Sequence, residues 1–221
     1  VVCRYSVCPA VCLSKERKLG VIVKEDVSGI GTMTFVTLDN RFAALGHHIH
    51  DGESGLCDSL NSGKIYCTEI DGVIRGESGK AGGLVASLNK LTTPIGEIQS
   101  NTNIGIYGRF DGKIKGNLVR VAKRGEATMG KAQIYTTVEG ENPAFYDIEI
   151  VKIVDQDSPK EKGLVIVVRD ERLIAKTGGI VQGMSGSPII QDGRIIGAVT
   201  HVLVNDPTRG YGIFIENMLE H

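Results

Sequence analysis

Short apolar runs broken by turn signals roughly every 8–15 residues are the feature that most limits what this chain can fold into. The punctuation comes from 29 glycines, against only 6 prolines. Runs this short suit strands, and so many of them point to an all-β barrel or sandwich. Candidate strands cover 19–23, 31–38, 41–45, 64–70, 104–109, 131–138, 144–154, 163–168, 188–191, 194–204 and 211–215. In the seventh, Tyr146, Ile148 and Ile150 alternate with Asp147 and Glu149, as on a half-buried strand. Residues 139–143 have the composition of a hairpin turn. Asp192-Gly193, between Ile189-Ile190 and Ile195-Ile196, suits the positive φ angles of a tight hairpin. Residues 216–220 are expected to begin a C-terminal helix. A Gly- and Lys-rich stretch near 110–130 is the expected joint between two lobes.

A chain of 221 residues buries roughly 70% of its unfolded surface and needs no staples. Its net charge of -1 argues against a nucleic-acid partner, which selects a basic excess. The cluster Lys15-Glu16-Arg17-Lys18 reads as solvated surface. No apolar run reaches the 18 residues of a membrane-spanning helix. The chain opens on Val1 with no visible signal peptide, the expected look of a processed or excised form, with an anchor or partner domain outside it. Five cysteines, Cys3, Cys8, Cys12, Cys57 and Cys67, are an odd number, so a monomer keeps one thiol unpaired. Their spacing fits zinc poorly, Cys57–Cys67 is a candidate disulfide, and the redox compartment stays open.

The informative stretch is Thr177-Gly178-Gly179-Ile180-Val181-Gln182-Gly183-Met184-Ser185-Gly186-Ser187-Pro188. Its centre, G-x-S-G-x-P, suits a loop that projects Ser185 while the N–H groups of Gly183 and Ser185 converge on a tetrahedral oxyanion. Gly183 and Gly186 permit the tight backbone. A β-hairpin follows, as a trypsin-like nucleophile loop requires. The alternative elbow, G-x-S-x-G, needs a helix after the serine, and Pro188 opposes one. Taken alone, the hexapeptide is also compatible with a plain Gly/Ser loop.

The base belongs well upstream. Phe42-Ala43-Ala44-Leu45-Gly46-His47 puts an imidazole at the end of an apolar strand, where it can take the hydroxyl proton and return it to a leaving amine. His48 and His50 read as surface residues. A rival from another class is zinc binding by His47-His48-x-His50-Asp51, which lacks standard spacing and a distant further ligand. Peptidase chemistry by Ser185 and His47 calls for no cofactor and no metal.

These residues resemble the stage IV sporulation protein B peptidase family of endospore-forming bacteria. The matching runs are 29–35, 44–47, 176–188, 197–202, 204–208 and 210–212, and the resemblance covers about 18–219. It implies a serine endopeptidase in the space between mother-cell and forespore membranes. Such an enzyme cleaves itself and a membrane-associated regulatory protein, which links it to signalling in sporulation. It also implies an N-terminal membrane segment and a PDZ domain in the full-length protein. The family's serine and histidine map onto Ser185 and His47, and its acidic residue onto Asp170. Asp170 lies only 15 residues before Ser185, on the second lobe, so Asp51, Asp71 and a Ser–His dyad remain alternatives. Residues 1–17 carry no resemblance, and 18–221 form the peptidase domain.

The run Gly197-Ala198-Val199-Thr200-His201 looks like the edge strand on which trypsin-like peptidases lay an extended substrate. Uncharged Gly179 at the expected pocket floor offers nothing to Lys or Arg. Thr200 and His201 complete the expected substrate-binding set, with His201 positioned either to donate to a Gln or Glu side chain or simply to pack beside the barrel. The sequence thus predicts a two-lobed antiparallel β-barrel of trypsin-like architecture. Its rival is a non-catalytic peptide-binding module on the same fold.

Overall fold

The computed structural model describes residues 2–5, 27–49, 63–87, 93–113, 116, 118–156 and 158–220. The first half of the chain forms β1 (Val2–Tyr5), β2 (Val27–Ile30), β3 (Met33–Val36), β4 (Arg41–Ala44), β5 (Gly63–Tyr66), β6 (Ile70–Ile74), β7 (Gly83–Ala86), β8 (Gly96–Thr102) and β9 (Gly105–Phe110). Seven of these make one antiparallel sheet in the order β2-β1-β5-β8-β9-β4-β3, while β6 and β7 form a separate hairpin. Phe42, Ala44, Leu45, Ile65, Ile98 and Ile106 fill the core of this lobe.

The second half forms β10 (Arg120–Val121), a 3-10 turn at Arg124–Glu126, β11 (Gly130–Thr136), β12 (Ala144–Ile153) and β13 (Leu164–Val168). Helix α1 (Glu171–Thr177), β14 (Pro188–Gln191), β15 (Arg194–Leu203), β16 (Asp206–Phe214) and helix α2 (Ile215–Leu219) follow. β15-β14-β11-β12-β13-β16 run side by side, and β16 pairs back onto β15, so six strands close into a barrel. Closure removes the open edges that a flat sheet would expose. Ile134, Ile148, Ile166, Leu173, Met184 and Ile189 lie in its interior. Asp192 and Gly193 take φ values of 49° and 71°, the tight turn expected of Asp-Gly.

A smaller apolar seam, Ala43, Ala198, Ile213 and Met218, joins the lobes. The hairpin β6–β7 crosses between them. Ile70 and Leu84 belong to the second lobe's core although they come from the first half of the chain. The hairpin's backbone bonds to Gly140, Thr177 and Val204 of the second lobe.

The expected strand at 19–23, with His50, Asp51 and Cys57, lies outside the described residues. Cys67 carries a free, exposed thiol, and the candidate Cys57–Cys67 disulfide lies outside the described residues.

Candidate active site

β4 ends at Ala44, paired with Ile106 of β9. The chain then turns through Leu45 and Gly46, both at positive φ (69° and 72°), before His47. That conformation is costly for leucine and persists only where the surroundings enforce it. A Cβ on Gly46 would stand 2.8 Å from the Thr200 methyl, so glycine lets the histidine loop lie against β15. The His47 ring lies 5.0 Å from the His201 ring, centroid to centroid. His47 Nδ1 is 2.8 Å from the His48 carbonyl oxygen. A carbonyl only accepts, so Nδ1 carries the proton, and in the neutral ring the lone pair is on Nε2.

Ser185 sits between α1 and β14 on a loop pinned from both lobes. Thr32 N–H donates to the Ser185 carbonyl at 2.8 Å, and Thr32 Oγ1 donates to the Gly183 carbonyl at 3.1 Å. Gly186 N–H donates to Val199 at 2.7 Å. A Cβ on Gly186 would fall 2.0 Å from the Thr32 carbonyl oxygen, so only glycine permits this approach. The β15–β16 register slips between Val199 and His201. Such bulges re-aim groups beside active sites. Here the Thr200 carbonyl accepts the Ser185 hydroxyl at 2.8 Å. Ser187, two residues on, is fully buried and donates to Thr136 Oγ1 at 2.9 Å.

Neither the Gly183 nor the Ser185 N–H donates to another group among the described residues. The residue before them is held on both sides of its main chain: Gln182 N–H donates to Gly82, and Leu84 N–H donates to Gln182. The strap of β6–β7 thus fixes the approach to this pair of donors.

Asp170 is brought elsewhere. It caps α1, accepting from the N–H groups of Arg172 and Leu173, and its other oxygen accepts from Asp147 N–H. It also pairs with Arg172 at 2.7 Å. Arg172 and these main-chain donors hold its pKa down at about 2. His201 pairs with Tyr211, and Tyr211 with Val165. Asp170 lies five residues beyond Val165, roughly 16 Å of extended chain. The structure therefore does not set Asp170 beside His47. Asp71 is exposed on β6.

Gly179 is buried against the Pro207 carbonyl, where even a Cβ would be 2.1 Å away. The Thr200 hydroxyl donates to the Glu161 carbonyl. His201 is half-buried, and burial together with the adjacent His47 pushes its pKa down. Its Nδ1 is buried without a hydrogen bond among the described residues. Beside His48 a cleft opens between Asn103 and Ile104 of one lobe and Gln156, Lys160 and Glu161 of the other. Sequence reasoning missed Thr32, the β6–β7 strap and Asn101, whose side chain binds the main chain of Ile49.

Two lobes built on β-strands, one a closed six-stranded barrel, make a fold of the trypsin-like serine peptidase type. The model of the SpoIVB peptidase S55 family matches residues 15–219, and the chain belongs to that family. Membership makes it a peptidase acting on peptide substrates. Among solved structures it is similar to the active form of the Rv3671c protease from M. tuberculosis, at 15% identity and a TM-score of 0.49, covering 99% of this chain and 77% of that one. The inactive form of the same protease gives 14% identity and a TM-score of 0.48, covering 99% and 85%. No curated protein matches.

Proposed function

We propose that the chain is a serine endopeptidase with Ser185 as nucleophile and His47 as general base. What supports this reading is that their side chains reach adjacent residues of the β15 bulge. Ser185 Oγ rests on the Thr200 carbonyl, and the His47 ring lies against the next residue, His201. In the reaction, the Ser185 hydroxyl turns from Thr200 to His47 Nε2 and gives up its proton as Oγ bonds to the substrate carbonyl carbon. The Gly183 and Ser185 N–H groups receive the oxyanion. Nε2 then protonates the leaving amine, and water releases the acyl group by the same route. Nδ1–H stays on the His48 carbonyl throughout.

Family membership supports finer expectations: self-cleavage, a membrane-associated protein substrate, and action between mother-cell and forespore membranes during endospore formation. His201 offers a buried ring nitrogen to a Gln or Glu side chain just before the scissile bond. A peptide library is expected to show that enrichment, and His201→Ala to flatten it. Enrichment of aliphatic residues there would remove His201 from the specificity site.

The test of the mechanism is labelling by a fluorophosphonate, read as a mass increment on Ser185. Ser185→Ala is expected to lose labelling and ~10⁴-fold or more of turnover while remaining folded. Ser187→Ala loses a buried hydrogen bond, worth about 1 kcal/mol of stability, and keeps turnover. A folded, unlabelled wild-type chain that still binds peptide would establish the non-catalytic module instead.

A further inference from the structure

We propose that Asn101 is a positioning residue for His47, acting through the peptide group that joins His48 to Ile49; this rests on His47 being the base. Asn101 stands at the end of β8, paired with Ile106 of β9, which in turn pairs with Ala44 of β4. Its side chain therefore reaches the segment that follows β4. Asn101 Oδ1 accepts the Ile49 N–H at 2.9 Å, and Asn101 Nδ2 donates to the Ile49 carbonyl at 3.2 Å.

The first of these bonds matters for chemistry. The Ile49 N–H and the His48 C=O belong to one planar peptide unit. The described chain has no cis peptide, so the two groups point in opposite directions. Aiming the N–H at Asn101 aims the carbonyl the other way, and that carbonyl accepts His47 Nδ1–H at 2.8 Å. Two hydrogen bonds in series through one peptide polarise each other, so the carbonyl becomes a stronger acceptor. The result is a relay of dipoles, from Asn101 through peptide 48–49 to His47.

The Asn101 amide supplies both the acceptor and the donor used here. Aspartate keeps the acceptor for Ile49 N–H but faces the Ile49 carbonyl with another acceptor. Alanine keeps neither. Dipoles also stabilise an imidazolium less than a full negative charge does.

The experiment compares Asn101→Ala and Asn101→Asp in steady-state cleavage of a peptide substrate and in fluorophosphonate labelling, across pH. Asn101→Ala is expected to lower kcat about 100-fold, with KM within about threefold, because a misaimed base costs rate rather than binding. Asn101→Asp is expected to recover most of that loss and to move the acid limb of kcat/KM upward. Wild-type kcat in Asn101→Ala overturns the proposal. So does an Asp variant as impaired as the Ala variant with an unmoved acid limb, the mark of a merely structural role. If Asn101→Ala fails to fold, the ¹⁵N spectrum of His47 in the unaltered protein decides: protonated Nδ1 at neutral pH supports the relay, and protonated Nε2 overturns it. Absent labelling of the unaltered protein would sink the serine mechanism, whereas full-rate labelling of Asn101→Ala sinks only this inference.

Discussion

Asp170 and His201 both make the fold sensitive to acid, for different reasons. The Asp170 carboxylate is held near pKa about 2 by Arg172 and by main-chain donors, against about 3.9 in an unfolded chain. Its contribution is complete above the unfolded value and disappears as pH falls through the folded one. His201 is half-buried beside His47, and burial with that neighbour pushes its pKa down. Unfolding lets it take up a proton near pH 6.5, so its contribution is present above that value and declines as pH falls. Thermal melts are expected to drop first near pH 6 and again between about pH 4 and 2. His201→Gln should remove the first drop, and Asp170→Ala should remove the second and cost ~1–2 kcal/mol at neutral pH through the lost helix cap. Asp170→Asn should keep its turnover per titrated active site. A kcat about 10³-fold lower in a stable Asp170→Asn protein would return Asp170 to the catalytic set.

At the scale of elements, the β6–β7 hairpin is the piece to disturb. Gly82 has no room for a side chain: a Cβ would meet Gly76 N and the Ile74 carbonyl oxygen, each at 2.4 Å. Gly82→Ala must pry the hairpin open beside the bond that Gln182 N–H donates to Gly82. It should cost ~1–3 kcal/mol in a thermal melt. It should also weaken a peptide boronate, which mimics the tetrahedral state, more than it weakens a product peptide. Equal weakening of both would detach the hairpin from the oxyanion donors. This hairpin was also among the elements hardest to read in sequence. β6 is Ile-Asp-Gly-Val-Ile, whose centre reads as a turn, and β8 buries little beyond Ile98. α1 has too few turns to establish a period, with Leu173 its one large buried side chain. By contrast β12 and the β14–β15 hairpin announced themselves, because alternation and Asp-Gly are local signals. The Gly-rich loop around Ser185 and the strand end before His47 stood out for the same reason. Asn101 was not, since it is one polar residue in the run Ser100-Asn101-Thr102-Asn103 and its meaning depends on what lies across the sheet.

Across the whole molecule, the two lobes share more than a linker. Thr32 of the first lobe holds Gly183 and Ser185 of the second, and Ile70 and Leu84 complete the second lobe's core. Lobes joined this way should melt together. Calorimetry is expected to give one transition whose calorimetric and van't Hoff enthalpies agree. Two resolved transitions would show that each lobe stands alone. The hairpin's position also sets an order of events during synthesis. A ribosome releases the chain from its N-terminus, and domains fold as they emerge. Arg75 and the Ala175 carbonyl it bonds are 100 residues apart, so the hairpin leaves the ribosome long before its seat exists. Ile70 and Leu84 then stay wet, a natural foothold for a chaperone, until the second barrel is translated. On the proposed mechanism Ser185 follows the hairpin by about 100 residues, so no peptide bond is cut until the second barrel has been made.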